Sequence, residues 1–296
     1  MESMRFTEIG QQLRAYRLES GLRAEEIAAR LGVSRAALYR YEKGEVIKLD
    51  TIKRLAELLK ISPLSLLGIG VEYYNRPIGY FERLRQIEET ADQVLMMSGP
   101  ICYLTTSEAY DSALAEVFDE VAERSSNERI AMRSNAEQVM AILAARKRMY
   151  VQRRPGIIAM VSVSGVQRLL EFGVAGLATL PERLRRLCRQ VAAGEVANMA
   201  TMMETEPMGL QFGLIAGADP SSAFQILRAR DRVTLAVNPF STDQHPSAQT
   251  GVAMITGADE AIAAHQRVAE ANWRDAIKGP AAAARIRQLL DGPATV

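Results

Sequence analysis

The spacing Ala28-x-x-x-Gly32-Val33-Ser34-x-x-x-Leu38-x-x-Tyr41-Glu42-x-Gly44 leaves the first part of this chain few ways to fold. A small residue at Ala28 lets two helices approach. Gly32 takes a tight turn, Val33 plugs the gap between helices, and Ser34 caps the next N-terminus. Leu38 and Tyr41 hold the third helix against the first two, and its other face stays free. Around this core the periodicity predicts helices over Thr7 to Leu18, Ala24 to Leu31, Arg35 to about Lys43 and Asp50 to Leu59, the last opened by a cap. Ser62-Pro63 opens a short fifth helix through Leu67, and Gly68-Ile69-Gly70 closes the unit.

This pattern resembles the Xre and phage-repressor type of helix-turn-helix protein, in Gly21-Leu22-x-x-x-Glu26-Ile27-Ala28, then Gly32-Val33-Ser34, then Tyr41-Glu42-x-Gly44. The resemblance covers residues 6 to 68. It implies an all-α, lambda-repressor-like domain whose third helix lies in the major groove with its N-terminal residues at base edges. Carried onto this chain, it implies a DNA-binding set of Ser34, Arg35, Ala36 and Arg40, with Tyr39, Lys43 and Lys48 beside phosphates. Arginine pairs with guanine through two hydrogen bonds, and an alanine methyl suits a thymine methyl. It also implies a buried ion pair between Arg17 and Glu42, so Arg17 reads as scaffold. One departure is clear: where the family usually has Thr-Gln or Ser-Gln at the start of the second helix, this chain has Arg23 and Ala24. Arg23 is expected to meet phosphate by charge, while the cap itself is lost.

The charge supports this placement only weakly. The whole chain has a net charge of +1, but residues 1–69 hold 8 Arg and 4 Lys against 8 Glu and 1 Asp, leaving the remainder at −2. Four of the six lysines (Lys43, Lys48, Lys53 and Lys60) fall across the third and fourth predicted helices, where a phosphate backbone would pass. With 48% hydrophobic and 24% charged residues, disorder of the whole is excluded and a second core is affordable. The longest nearly apolar run, Gly156 to Val166, is too short to cross a bilayer, and Met1 to Phe6 leads into a charged helical pattern. The expectation is a cytoplasmic protein with no membrane partner. Cys102 and Cys188 stand apart from any metal-ligand spacing and read as buried thiols, so no metal and no cofactor is expected.

Behind residues 1–70, residues 71–98 read as a linker and a connecting helix, with Phe81, Leu84, Glu88, Ala91 and Leu95 on a stripe suited either to a second copy or to its own domain. Residues 99–296 read as a mixed α/β effector-sensing and dimerisation domain. Its predicted strands are Ile101 to Thr105, Ile157 to Val163, Leu210 to Ala216, Phe224 to Leu227, Val233 to Val237 and Val252 to Ile255. Its predicted helices are Ser107 to Arg124, Asn135 to Gln152, Pro181 to Ala193 and Asp259 to Ile277. This order is loosely similar to effector-sensing domains behind such heads in bacterial regulators, including Ala144-Ala145-Arg146, the strand at Ile157, the helix from Pro181 to Val191 and Asn272-Trp273-Arg274.

Catalysis is not expected. The two histidines, His245 and His265, accompany no nucleophile elbow, and Gly165, Gly173 and Gly176 form no phosphate loop. A self-cleaving domain needs a Ser and Lys pair, and Lys147 falls on a predicted helix while Lys278 stands at the end of another. Met199, Met202 and Met203, with the nearby Met208, offer adaptable thioethers for an effector pocket or simply for the core. Arg153-Arg154 would suit an anionic effector or open solvent. Loop 238–250, with Asn238, Pro239, Asp243, His245 and Pro246, reads as a lid or an ordinary surface loop. The expected function is a sequence-specific transcriptional regulator, a ligand-responsive repressor acting as a homodimer on a palindromic double-stranded operator with a small-molecule effector. The alternatives are an antitoxin or scaffold-type DNA-binding module, or an enzyme with an autoregulatory head.

Overall fold

The computed structural model describes residues 6–97, 99–125, 127–176, 179–216, 223–241 and 244–292. Five helices come first: α1 (Phe6–Ser20), α2 (Ala24–Leu31), α3 (Arg35–Glu42), α4 (Leu49–Leu59) and α5 (Pro63–Leu66). They bury Ile9, Leu13, Ile27, Leu38, Leu55 and Leu66 in one core, as the periodicity demands. The start of α4 differs from the expectation. Lys48 occupies the capping position without a side-chain bond, and Asp50 lies inside the first turn, where its charge still favours the helix dipole.

The larger part is a mixed α/β unit. Its strands are β1 (Val71–Tyr74), β2 (Gln93–Met97), β3 (Gly156–Ser162), β4 (Leu210–Ile215), β5 (Ala223–Arg228), β6 (Val233–Asn238), β7 (Ala253–Thr256) and β8 (Ile277–Lys278). Among the described residues they form one sheet in the order β1-β7-β6-β5-β2-β3-β4-β8. Strands β2, β3 and β4 run parallel, and every other pairing is antiparallel. The helices are α6 (Pro77–Glu88), α7 (Glu108–Glu123), α8 (Arg129–Arg153), α9 (Val163–Phe172), α10 (Glu182–Thr205), α11 (Asp259–Asp275) and α12 (Gly279–Leu290). Alternation along the strands separates two cores. Val94, Ile157 and Val161 join the main cluster with α6 to α10 and α12, whereas Met97, Met160 and Leu235 join a smaller cluster with Ile262 and Ala269 of α11.

The stretch read as a linker is instead β1, and β1 pairs with β7, matching Tyr74 to Ala253. The stripe from Phe81 to Leu95 is also not one helix: α6 stops at Glu88, and Leu95 lies in β2. All of α6 except Arg85 is buried within the chain, so no face of it remains for a second copy. Residues Ile101 to Thr105 form no strand, and Tyr103–Thr105 is a single turn of 3-10 helix. The helices α9 and α12 were not foreseen. Val163, expected to end a strand, begins α9 because the Ser162 hydroxyl caps it by accepting from Gly165 N at 3.0 Å.

The head is docked on the sheet rather than tethered to it. Glu19 at the end of α1 accepts from the backbone N–H of Asn75 at 2.7 Å and of Arg76 at 3.2 Å, placing a carboxylate at the N-terminus of α6. Arg14 pairs with Glu82 at 2.8 Å, and the Tyr16 ring stacks on Tyr74 with centroids 5.2 Å apart. Between them the buried Glu72 carboxylate accepts from Gln12 (2.7 Å), Tyr74 (2.7 Å) and Arg83 (2.9 and 3.1 Å). Donors from α1, β1 and α6 thus converge on one buried carboxylate, and the cluster fixes one orientation of head on sheet.

Candidate nucleic-acid interface

The turn between α2 and α3 is built as the sequence demands. Gly32 ends α2 with φ +71°, a conformation open to glycine, and Val33 N closes it on Ala28 O at 3.0 Å. Ser34 is the N-cap of α3, accepting from Ala37 N at 3.1 Å, so its hydroxyl is already engaged. Ala37, Leu38 and Glu42 form the buried side of α3. Arg35, Ala36, Tyr39, Arg40 and Lys43 all lie on the exposed side.

The side chains of Arg35 and Arg40 are 59% and 62% exposed, so both guanidinium groups are accessible from solvent. Neither is idle. Arg35 Nη1 lies 2.7 Å from Glu25 Oε1, and Arg40 Nε lies 2.7 Å from Glu45 Oε2. Both carboxylates are at least half exposed, so solvent screens each pair and it opens at little cost. The Tyr39 hydroxyl accepts from Arg35 Nη2 at 3.3 Å, and the Tyr39 ring lies within 6 Å of the guanidinium carbons of both Arg35 and Arg17. Lys43 and Lys48 are exposed at the end of α3 and the start of α4.

Arg17 and Glu42 are joined at both ends, Nε to Oε1 at 2.5 Å and Nη2 to Oε2 at 3.1 Å. The Arg17 guanidinium, half-buried but held by Glu42, is pushed above its ordinary range. Gly10 explains how α1 comes so close: a Cβ there would meet the carbonyl oxygens of Tyr41 and Glu42 at 2.5 and 2.7 Å. The sequence pattern did not single out Gly10, because nothing near it marks a close approach from 31 residues downstream.

Arg23 is exposed at the N-cap of α2 and supplies no side-chain cap, as a guanidinium has no acceptor. Glu26 reaches back instead and accepts from Arg23 N at 2.8 Å. This is half of a capping box, contributed by a residue noted only for its place in the motif.

The residues considered for an effector pocket lie elsewhere. Met199 and Met203 are buried core residues of α10, Met202 is half-buried against the same core, and Met208 is fully exposed. Arg153 and Arg154 are exposed at the C-terminal end of α8, Arg153 facing Asp92 at 3.8 Å. Of the loop at 238–250, Asp243 lies outside the described residues. His245 is buried, with its ring edge-on to Phe118 at 5.4 Å and its Nδ1 accepting from Ser247 N at 3.1 Å. Cys102 and Cys188 are buried free thiols, and burial pushes Cys102 up to about 11. Among the described residues no helix is long and apolar enough to cross a membrane.

Residues 8–66 match a family model described as a helix-turn-helix domain. Among solved structures the chain is similar to TrmBL2, described as an archaeal chromatin protein that shows a novel mode of DNA binding. That likeness has a TM-score of 0.31 and 12% identity over 78% of this chain and 63% of that one. The chain therefore spans less than two thirds of that protein's length. Comparison with curated proteins gives no match. Residues 8–66 thus form a helix-turn-helix domain, and a mixed α/β region follows it.

Proposed function

We propose that this protein is a sequence-specific DNA-binding transcriptional regulator whose α3 enters the major groove. The observation that carries this reading is the single exposed face of α3, where Arg35, Ala36, Tyr39, Arg40 and Lys43 lie together on a helix anchored from behind by Arg17 and Glu42. Arg35 and Arg40 read guanine, and Ala36 meets a thymine methyl. Ser34 holds the helix N-terminus in place beside the groove. Tyr39, Lys43, Lys48 and Arg23 meet phosphates and position the helix without carrying sequence information.

One eight-residue helix reads too few base pairs to find one site in a genome, so the proposal includes a homodimer. Two copies of α3 would lie about one DNA turn apart on a palindromic operator. The protein acts as a repressor by occupying the operator, its larger region supplies dimer contacts and responds to a small molecule, and it works by binding rather than by catalysis. Repeated selection of the full chain against random duplexes tests this reading. The expected result is an enriched inverted repeat with guanines in each half-site. A pool without any enriched sequence would remove the reading.

A further inference from the structure

We infer that a cavity at the carboxyl end of β2 binds a small, uncharged, planar ring compound bearing one hydrogen-bond donor and one acceptor. The cavity has a volume of about 260 Å³ and lies where β2, parallel to β3 on one side, meets the antiparallel β5 on the other. Crevices beyond the carboxyl ends of parallel strands, at a change in the order of the sheet, are where such folds hold ligands. Met97 and Phe224, opposite each other in the β2–β5 register, both line it, and Asn238 at the end of β6 borders it.

The walls define the ligand. Phe81, Tyr103, Tyr110, Phe224 and Phe240 surround the space with aromatic surface, which favours a flat ring. A cavity of about 150 Å³ accepts benzene, so one of this size accepts a fused bicycle. Two polar groups define its hydrogen bonds. The Gln225 side-chain oxygen is buried with no partner among the described residues, and a ligand N–H or O–H would satisfy it. Arg146 bonds the buried Glu88 through Nε (2.8 Å) and Nη2 (2.7 Å) and has no such bond from Nη1 among the described residues, leaving a donor for a ligand carbonyl.

The same pair sets the charge. Arg146 is neutralised by Glu88, and Lys147, beside the Tyr103 and Tyr110 rings, is neutralised by Asp111 at 2.7 Å. An anionic ligand would bring an uncompensated charge into this apolar space, so a neutral one is preferred. None of the methionines or arginines singled out in the sequence as effector residues lines this cavity. Phe81 lines it from α6, and the same helix meets the head through Gly79 against Glu19 and through Glu82 against Arg14. A regulatory consequence of occupancy rests on the proposed function, whereas occupancy itself does not.

Calorimetric titration of the full, DNA-free chain tests this with three bicyclic probes: carbostyril, which has an N–H beside a carbonyl, naphthalene, which has neither, and naphthoate, which is anionic. Carbostyril is expected to bind one per chain and at least about tenfold more tightly than the other two. Gln225→Leu should weaken carbostyril about tenfold and leave naphthalene unchanged, and Ala223→Phe, which fills the space, should abolish binding of both. Equal binding of carbostyril and naphthalene, tighter binding of naphthoate, or no binding at all would overturn the inference. If Gln225→Leu fails to fold, the wild-type ranking decides alone. A chain that selects a DNA sequence but ignores all three probes refutes only this site. One that binds carbostyril but selects no sequence refutes only the proposed function.

Discussion

Arg35, on the exposed face of α3, is held by Glu25 of α2 across 2.7 Å of solvent-accessible surface. In the proposed function this guanidinium reads a base, and the pair keeps it folded back toward a carboxylate that would itself stand near phosphate. Glu25→Gln should therefore raise affinity for any duplex, by about three- to tenfold at low salt, through loss of a repelling charge. Binding titrations at two salt concentrations check this, because the gain should shrink as salt rises.

The pair of Arg17 and Glu42 predicts an effect on stability and not on recognition. Arg17→Met leaves the buried Glu42 carboxylate without its partner and should cost about 2 to 4 kcal/mol in denaturant unfolding. The double variant Arg17→Met with Glu42→Leu should recover most of that loss, because two apolar side chains replace the pair. Recovery in the double variant separates a scaffold role from a DNA contact.

Tyr74 ties the head to the sheet through its stack on Tyr16 and its bond to Glu72. Tyr74→Ala should cost about 3 to 5 kcal/mol, and it should split one calorimetric transition into two as the head melts separately. Tyr74→Phe keeps the ring and removes only the hydroxyl, so it should cost about 1 kcal/mol and keep a single transition.

Burial holds the His245 imidazole below its ordinary range. Below the unfolded value of about 6.5, the unfolded chain takes up a proton that the folded chain refuses, so stability should fall as pH drops below that point. Above it His245 contributes no pH dependence. Melting curves between pH 5 and pH 8, compared with those of His245→Gln, should show a flatter acid limb in the variant.

The head was legible because its signals are local. Gly32, Ser34 and the spacing of Leu38 and Tyr41 fix a turn and a helix within a dozen residues, and the Arg17–Glu42 pair followed from the family pattern. The larger region was legible only where strands carried enough apolar length, as at β3, β4 and β6. Strand β1 hid among Gly70, Asn75 and Pro77 because its partner β7 lies some 180 residues away. Strand β2 hid because Val94 to Met97 continue the apolar stripe of α6 without a glycine or proline to mark the break. The buried ion pairs of α6 carry no local signal for a related reason. Glu72 and Arg146, which pair with Arg83 and Glu88, come from other elements, so the sequence of α6 alone does not show them. Arg146 was noted only for its place in a motif, and Gln225 carried no signal at all.

The most direct measurement is a binding titration of Arg35→Ala and Arg40→Ala, each on the best selected duplex and on a scrambled one. Each variant should lose about 1 to 3 kcal/mol on the selected duplex and almost nothing on the scrambled one. Equal losses on both duplexes, or no loss on either, would contradict base reading by α3.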